Sequence, residues 1–295
     1  MRILVTGANG QLGNEMRLIA KFRNADEFIF SDISEHPCEP TLKLDITAPI
    51  SLEGPLDYIV NCAAYTNVDA AEDNAELAGT LNCTAVGNLA ALALQKNAAL
   101  IHISTDYVFD GMAAKPLRED DAVCPVSVYG RTKLEGERVL EASGCRYVII
   151  RTAWLYSEFG KNFMKTMLRL CSQLDKVRVV NDQTGSPTYA LDLAKAITVI
   201  MDRGVDSLTQ GTYHFSNEGK CTWYDFASHI ASLSGHEGVI VPCSSDEYPS
   251  KVKRPAYSVL CKDKIRSVFG VEVPVWEDSL KACYASFKAL DGASL

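Results

Sequence analysis

The sequence predicts an α/β fold in which a doubly wound parallel sheet is followed by a smaller, mixed C-terminal region. Through the first half, short apolar segments alternate with amphipathic segments of helical period, which is the pattern of parallel β-α units. The apolar segments contain no polar alternation, which is typical of strands buried on both faces. With 295 residues, 47% of them hydrophobic and 22% charged, the chain can form such a core.

The order of these segments predicts the individual elements and two domains. The predicted strands of the first half are Ile3–Thr6, Phe28–Ser31, Tyr58–Cys62, Leu100–Ser104 and Tyr147–Ile150. The predicted helices between them are Gln11–Phe22, Glu76–Gln95 and Val128–Ala142. After Trp154 the alternation loosens, and the predicted elements are a helix over Asn162–Ser172, a strand over Val177–Val180 and helices over Leu191–Met201 and Trp223–Ser232. We therefore expect one domain over residues 1–152, rejoined by segments around 176–215, and a smaller domain over residues 153–295.

The composition argues against two classes of partner. A formal net charge of −8 disfavours binding to the phosphate backbone of nucleic acids. The longest apolar stretches, Leu89–Leu94 and Ala196–Met201, reach about a third of the roughly 20 residues that span a bilayer. The N-terminus lacks the apolar core of a signal peptide. We therefore expect a soluble, cytoplasmic protein with no nucleic-acid or membrane partner.

The ten cysteines and five histidines do not form a disulfide or metal-binding pattern. The cysteines are widely spaced with no Cys-x-x-Cys pair, and no two histidines have the i, i+4 spacing of a zinc helix. Several cysteines, such as Cys62, lie in apolar segments where cysteine acts as a small hydrophobic residue. We therefore expect reduced thiols and no metal site.

A glycine-rich turn joins the first predicted strand to the first predicted helix. Gly7, Gly10 and Gly13 have the spacing Gly-x-x-Gly-x-x-Gly. Glycines in such a turn let backbone N–H groups approach a pyrophosphate at the positive end of the helix, so the turn predicts a dinucleotide site on a Rossmann-type fold. Asp32 ends the second strand, where a carboxylate binds the adenosine ribose and repels a 2′-phosphate. Asp32 therefore favours NAD over NADP.

A tyrosine and a lysine on a predicted helix are candidates for proton transfer. Tyr129 and Lys133 are four residues apart, which places them on one helix face, and a lysine ammonium beside a phenol lowers the phenol's pKa from about 10. Thr105 lies at the carboxyl end of a buried strand, where its hydroxyl can donate to a substrate carbonyl. Singly, each residue also fits a helix surface or a strand-end cap. Together with the glycine turn they predict a catalytic site.

These residues belong to longer segments by which the chain resembles the extended short-chain dehydrogenase/reductase superfamily. Within that superfamily the chain is most similar to the dTDP-4-dehydrorhamnose reductase family. The matching segments are 7–13 (GANGQLG), 61–69 (NCAAYTNVD), 104–111 (STDYVFDG), 128–133 (VYGRTK), 151–154 (RTAW), 181–188 (NDQTGSPT) and 254–258 (RPAYS).

The resemblance implies that the 4-keto group of dTDP-4-dehydro-L-rhamnose is reduced to dTDP-L-rhamnose by NADPH or NADH. It makes residues 1–152 the NAD(P)-binding Rossmann domain and residues 153–295 the substrate-binding domain. The implied catalytic residues are Thr105, Tyr129 and Lys133; the implied cofactor-binding residues are Gly7, Gly10, Gln11, Leu12, Asp32, Asp45, Ile46, Ala63, Ala64, Tyr65, Tyr129 and Lys133; the implied substrate-binding residues are Thr105, Asp106, Trp154 and Arg254. Some members of the family are homodimers linked by Mg²⁺ through clustered glutamates. The resemblance therefore also implies a homodimer and leaves Mg²⁺ open, because the sequence does not place such a cluster.

Two other classes of function remain open on the sequence. The regulatory β-subunit of methionine adenosyltransferase resembles the same reductases and binds a dinucleotide without catalysing a reaction, although such a subunit has no need of all three catalytic residues. Another nucleotide-sugar enzyme, such as a 4-epimerase, a 4,6-dehydratase or a different 4-ketoreductase, would use the same fold. Tyr107 follows Asp106 where a dehydratase needs a glutamate, which argues against dehydration. A serine hydrolase is disfavoured because the chain has no Gly-x-Ser-x-Gly elbow.

Overall fold

A computed structural model describes residues 1–248 and 250–292 of the chain. The strands are β1 (Arg2–Thr6), β2 (Glu27–Asp32), β3 (Leu42–Lys43), β4 (Tyr58–Asn61), β5 (Ala99–Thr105), β6 (Arg146–Thr152), β7 (Leu155–Tyr156), β8 (Val177–Val180), β9 (Thr184–Gly185), β10 (Thr188–Tyr189), β11 (Gly211–His214), β12 (Cys221–Thr222) and β13 (Ile240–Cys243). The α-helices are α1 (Gln11–Ala20), α2 (Val68–Ala71), α3 (Ala75–Gly79), α4 (Ala85–Lys96), α5 (Val128–Glu141), α6 (Phe163–Gln173), α7 (Ala190–Arg203), α8 (Trp223–Leu233), α9 (Asp263–Phe269) and α10 (Trp276–Gly292).

Seven strands form one parallel sheet in the order β11-β6-β5-β4-β1-β2-β3. The strand order reverses between β1 and β4, because the chain builds the sheet outward in one direction from β1 and then returns to build the other half. This arrangement confirms the predicted doubly wound sheet. The five strands predicted in the first half are all present, each within one or two residues of its predicted ends.

Neighbouring residues on the central strands face opposite sides of the sheet. Ile3 and Val5 of β1 lie in a core with α1, α7 and α9, whereas Leu4 lies in a second core with α4 and the end of α5. Because side chains alternate along a strand, a strand covered on both faces needs apolar residues at every position. This is why the strands are uninterrupted apolar segments in the sequence.

The predicted helix Glu76–Gln95 is interrupted. A π-helical turn over Thr80–Thr84 separates α3 from α4. Asn82, within this turn, is buried; its side chain accepts from the backbone N–H of Tyr65 at 2.8 Å and donates to the hydroxyl of Thr132 on α5 at 3.1 Å. The extra residue of a π turn shifts the side chains that follow it, so the turn aims a polar side chain at the neighbouring helix.

Among the described residues, the helical run Ala75–Lys96 is the one segment long and apolar enough to cross a membrane by length and composition. Its Val86 and Leu89 are fully buried in the core on one side of the sheet. Core helices of globular proteins commonly have this composition.

The C-terminal half has a core of its own. Elements β7, α6, β8, α8, β13 and α10 surround an aromatic-rich cluster that includes Tyr156, Tyr189, Phe226 and Trp276. Strand β8 pairs in parallel with β13 outside the central sheet, whereas β11 joins the central sheet and α7 packs on it. Within residues 176–215, the part that lies with the central sheet is therefore α7 and β11.

A buried acidic pair lies where the two cores meet. Glu15 of α1 accepts a hydrogen bond from the hydroxyl of Ser157 at 2.7 Å, and Glu158, after β7, accepts one from the hydroxyl of Tyr189 at 3.0 Å. Both carboxyl groups are almost fully buried. Burial, together with the neighbouring Glu158, raises the pKa of Glu15 to about 8, so Glu15 keeps its proton at neutral pH.

Candidate active site

Residues from the carboxyl ends of the central strands converge on one cleft of about 670 Å³. The cleft lies beside the point between β1 and β4 where the strand order reverses, which is where doubly wound sheets bind ligands. The predicted site residues that line it are Gly7, Gly10, Gln11, Leu12, Asp32, Ile46, Ala63, Ala64, Thr105, Asp106, Tyr129, Lys133 and Trp154. Asp45, Tyr65 and Arg254 are not part of the lining.

The glycine turn brings the backbone of the first strand against the loop after β4. Gly7 has a φ of +64°, and a Cβ atom at this position would lie 2.6 Å from the backbone nitrogen of Ala63. Only glycine fits this close approach. Gly10 is the N-cap of α1 and provides no side chain to cap it, so the N–H groups of the first turn, including those of Gln11 and Leu12, face the cleft. This arrangement suits an anion such as a pyrophosphate.

Asp32, at the end of β2, is held by the glycine turn and by the residues that follow the strand. Its carboxylate accepts hydrogen bonds from the backbone N–H of Asn9 at 3.1 Å and of Ser34 at 3.2 Å. The carboxylate is therefore fixed beside the glycine turn, the position expected for contact with an adenosine ribose.

Arg17 of α1 is a charged neighbour of this position that sequence reasoning missed. Its guanidinium lies over the ring of Phe30 at 4.4 Å and donates to the hydroxyl of Thr41 at 2.8 Å. Burial lowers the pKa of Arg17, and the carboxylates of Glu39 and Asp32 oppose that shift. The arginine remains a cation, and its charge offsets part of the repulsion between Asp32 and a 2′-phosphate. In the sequence, Arg17 resembles any basic residue in the last turn of a helix.

The two residues expected at the adenine differ in placement. Ile46 is buried and lines the cleft together with Leu44 and Ile33. Asp45 is exposed, and its carboxylate accepts hydrogen bonds from the backbone N–H and the hydroxyl of Thr47, at 2.9 and 2.6 Å. The expectation for Asp45 is therefore not supported by its placement, because a local turn already uses its carboxylate.

Helix α5 brings Tyr129 to the end of β5. The hydroxyl of Ser127 caps the helix by accepting from the backbone N–H of Gly130 at 3.0 Å. A Cβ atom on Gly130 would collide with the backbone carbonyl of Tyr107, so glycine lets the helix approach the turn that follows β5. The rings of Tyr107 and Tyr129 then meet edge to face, with centroids 5.5 Å apart. Thr105 and Tyr129 line the cleft next to each other as a result.

The phenol of Tyr129 keeps its proton in this site. Burial raises the pKa of Tyr129 above its usual value, and the hydroxyl of Thr105 opposes the shift. The structure does not show the expected lowering of this pKa by Lys133, since Lys133 is not among the groups that shift it and its Nζ atom has other partners. The Nζ atom donates to the carbonyl of Ile103 at 2.6 Å and lies 3.2 Å from Nε2 of His102.

Asp106 and Trp154 are part of the lining of the cleft. The hydroxyl of Thr105 donates to Oδ1 of Asp106 at 3.0 Å, while Oδ2 is buried without a partner among the described residues. Burial raises the pKa of Asp106 to about 6. Trp154 has a φ of +50°, a backbone conformation that is strained for a large side chain, and its ring stacks on Trp223 at 3.6 Å. Strain of this kind is concentrated at functional sites.

Arg254 and Tyr65 lie behind the lining. Arg254 donates to the hydroxyl of Tyr107 at 3.1 Å and forms an ion pair with Asp69. Tyr65 packs, as Tyr129 does, against the cluster of Ala71, Ala78 and Val128, and its backbone is held by Asn82 of the π turn. Arg254 therefore contacts a side chain of the lining, and neither residue lines the cleft itself.

A buried ion pair beneath the cleft was also missed by sequence reasoning. Glu137 of α5 lies one turn after Lys133, pairs with Arg151 of β6 at 2.7 Å and accepts a hydrogen bond from the hydroxyl of Ser104. Both charged side chains are almost fully buried. A Lys-x-x-x-Glu spacing is common on helices, and the partner Arg151 is on the following strand β6, so this pair could not be recognised in the sequence.

The donors of the cleft fit a dinucleotide. The N–H groups in the first turn of α1, which no side chain caps, suit the pyrophosphate. The glycine turn leaves space for it that a Cβ atom would fill, and the carboxylate of Asp32 suits a ribose. By contrast, no group of three or more His, Cys, Asp or Glu side chains within residues 1–248 and 250–292 is placed to hold a metal ion.

Comparison with known proteins places the chain in a family. The family model described as RmlD substrate binding domain matches residues 1–289. A dTDP-4-dehydrorhamnose reductase of Aggregatibacter actinomycetemcomitans is 38% identical over 293 residues, which cover 95% of this chain and 97% of the relative.

Solved structures of similar proteins agree with the family model. The structure of a dTDP-4-dehydrorhamnose reductase from Clostridium acetobutylicum is 41% identical, has a TM-score of 0.90 and covers 98% of this chain and 100% of that chain. A dTDP-4-dehydrorhamnose reductase from Bacillus anthracis, solved in complex with NADP, is 33% identical, has a TM-score of 0.85 and covers 97% of this chain and 99% of that chain. Sequence and structure thus agree along almost the whole length, and the chain belongs to the RmlD substrate binding domain family.

Proposed function

We propose that the protein is an NAD(P)H-dependent oxidoreductase that reduces the 4-keto group of dTDP-4-dehydro-L-rhamnose to give dTDP-L-rhamnose. The observation that carries the proposal is the convergence of Thr105, Tyr129 and Lys133 on the cleft that also contains the glycine turn. The similar proteins named as dTDP-4-dehydrorhamnose reductases support the choice of substrate. The reaction is a step of dTDP-rhamnose biosynthesis.

The chain's residues divide into a cofactor-binding and a substrate-binding part. Bound NAD(P)H would be held by the first turn of α1 and by Asp32, and it supplies the hydride for C4 of the sugar. We assign the sugar to the part of the lining that contains Asp106 and Trp154, and the cofactor to residues 1–152 with α7 and β11 completing the sheet. The separate aromatic core of the C-terminal half supports a substrate-binding domain within residues 153–295.

Tyr129 donates the proton to the carbonyl oxygen. Reduction of a ketone consumes a proton, and burial keeps the Tyr129 phenol protonated at neutral pH. Thr105 lies beside it and can donate a hydrogen bond to the same oxygen, where negative charge develops. To do so, the Thr105 hydroxyl must give up the hydrogen bond that it now donates to Oδ1 of Asp106 at 3.0 Å. Lys133 lies one turn from Tyr129 and would hold the ribose of the bound cofactor.

The proposal is tested by measuring NAD(P)H oxidation with a panel of enzymatically generated 4-keto nucleotide sugars. We expect turnover with dTDP-4-dehydro-L-rhamnose to exceed that with UDP-linked ketones and with epimers at the other ring carbons. Turnover confined to a different 4-keto sugar would replace the substrate but keep the reaction class. No oxidation with any ketone, together with co-purification of a second enzyme, would favour a regulatory dinucleotide-binding subunit instead.

A further inference from the structure

A chain of buried polar side chains runs beneath the cleft from β1 to α5. Its members are Thr6 on β1, Asn61 on β4, His102 on β5 and Lys133 on α5, and none is more than 1% exposed. Successive contacts measure 2.7 Å from Thr6 Oγ1 to Asn61 Oδ1, 3.0 Å from Asn61 Nδ2 to His102 Nδ1, and 3.2 Å from His102 Nε2 to Lys133 Nζ. Burying a polar group costs free energy unless the group is hydrogen-bonded, so apolar residues would fill these positions more favourably if packing were their only role.

The direction of the hydrogen bonds in this chain is fixed at Asn61. The backbone N–H of Ala63, which can only donate, contacts Oδ1 of Asn61 at 3.1 Å. The amide of Asn61 is therefore oriented with its NH₂ group towards Nδ1 of His102. Burial, and next the charge of Lys133, hold the pKa of His102 well below its usual value, so the ring is neutral and has one N–H. Because Nδ1 must accept from Asn61, the hydrogen is on Nε2.

The Nε2–H group of His102 then points at Lys133. An N–H donor can bond to the lone pair of a neutral amine but not to an ammonium, which has donors only. The carbonyl of Ile103 accepts from Nζ in either form. The contact with His102 therefore favours the neutral amine of Lys133, in the same direction as burial, which lowers the pKa of Lys133 to about 8.

The other titratable groups around Lys133 do not cancel this effect. Those on the elements packed around it are Tyr129 and Glu137 on α5, His102 and Asp106 at β5, Arg151 on β6 and Cys62 after β4. Glu137 raises the pKa of Lys133, but its carboxylate is already paired with Arg151. The thiol of Cys62 is neutral, because burial raises its pKa.

We propose that His102 is a positioning residue, oriented by Asn61, that weakens the hold of Lys133 on its proton. Resting on the proposed function, the consequence is that Lys133 carries less positive charge in the cleft, at the place assigned to the ribose of the cofactor.

The first test is the tautomer of His102, measured by ¹⁵N NMR of the histidine rings in the purified protein without substrate. The protein contains five histidines, so the His102 signal is assigned by its absence from the spectrum of a His102→Gln variant. We expect hydrogen on Nε2 and no ring protonation across the range in which the protein stays folded. Hydrogen on Nδ1 in the unaltered protein would overturn the proposal. This measurement needs neither cofactor nor substrate, so its outcome is independent of the substrate panel.

The second test uses Asn61→Asp to reverse the direction of the hydrogen bond between residue 61 and His102. A carboxylate accepts from Nδ1–H, so the hydrogen moves off Nε2, which then accepts from the Lys133 ammonium. We expect the ¹⁵N spectrum of Asn61→Asp to show the His102 hydrogen on Nδ1, and the Lys133 titration midpoint, followed by ¹³C NMR of its Cε, to rise by at least one unit, about tenfold in proton affinity. Thr6→Val is the matched control, since it removes a hydroxyl from the same chain while Ala63 still orients Asn61. An Asn61→Asp midpoint equal to that of Thr6→Val would overturn the proposal.

Discussion

At Tyr129, burial and chemistry act in the same direction, because the buried phenol keeps the proton that reduction of a ketone requires. Tyr129→Phe removes only the hydroxyl and leaves the edge-to-face contact with Tyr107 in place. We expect kcat with dTDP-4-dehydro-L-rhamnose to fall by roughly 10²–10⁴-fold, the range for loss of a general acid. Dinucleotide affinity, measured by fluorescence titration, is expected to stay within a few-fold.

The control for this variant is Tyr147→Phe, which removes a phenol hydroxyl near the start of β6, at the end of the strand away from the cleft. It should leave kcat unchanged. Near-normal turnover by Tyr129→Phe would show that the proton comes from another group.

Two residues with opposite charges govern the choice of dinucleotide. Asp32 is placed to bind the ribose hydroxyls, while Arg17 beside it offsets repulsion of a 2′-phosphate. We expect NADH to bind no more than about tenfold more weakly than NADPH, a difference of roughly 1.4 kcal/mol. Asp32→Asn should shift the ratio of the two dissociation constants towards NADPH. Fluorescence titration of both dinucleotides measures it, and a stronger NADPH preference in the unaltered protein would contradict this account.

The residues predicted from sequence were those that lie close together along the chain or at a strand end. Tyr129 and Lys133 share a helix face, and Thr105 ends a strand. His102 and Asn61 could not be assigned, because strands far apart in the sequence bring them together and each looks like an ordinary buried polar residue. Lys133 lines the cleft, but the partners of its Nζ atom were not predictable, since they depend on these two residues.

Helix α5 serves as the platform that holds the catalytic residues against the sheet. Its anchor is Glu137, which pairs with Arg151 at 2.7 Å in a buried position. Glu137→Gln leaves the arginine charge buried without a counter-charge, so we expect the unfolding free energy to fall by roughly 3–5 kcal/mol. Urea denaturation measures the change.

Glu135→Gln is the matched control, because Glu135 is exposed on the other face of α5. We expect its effect to stay within about 0.5 kcal/mol. Equal midpoints for the two variants would show that the buried pair does not anchor the helix.

Among the elements, those that form a continuous apolar segment in the sequence were predicted and those set by packing were not. The five central strands were predicted because burial on both faces leaves a continuous apolar segment. The π turn over Thr80–Thr84 was not, because it depends on the bonds of Asn82 to residues distant in the sequence. The two-residue strands β3, β7, β9, β10 and β12 are too short to leave a period-2 pattern.

At the scale of the whole molecule, the buried pair Glu15 and Glu158 makes the stability of the folded protein depend on pH. The pKa of Glu15 is raised to about 8 in the folded protein, above its value in the unfolded chain, so between about pH 4.5 and 8 the folded state binds more protons. Stability is therefore expected to fall as pH rises through this window. Glu15→Gln needs no proton and should flatten that part of the profile, with its largest advantage at pH 8.

Denaturation midpoints at pH 5 and pH 8 measure this dependence. Glu35→Gln, which alters an exposed glutamate, is the control and should follow the unaltered protein. A Glu15→Gln profile parallel to that of the unaltered protein would mean that another group sets the pH dependence.

The most direct test of the whole account follows the hydride. The protein is given dTDP-4-dehydro-L-rhamnose and NAD(P)H deuterated at C4 of the nicotinamide, on each face in turn, and the sugar product is analysed by NMR and mass spectrometry. We predict that one of the two labelled cofactors places a single deuterium at C4 of dTDP-L-rhamnose for each dinucleotide oxidised. Oxidation of the cofactor with no deuterium at C4 from either face would contradict the proposed reduction.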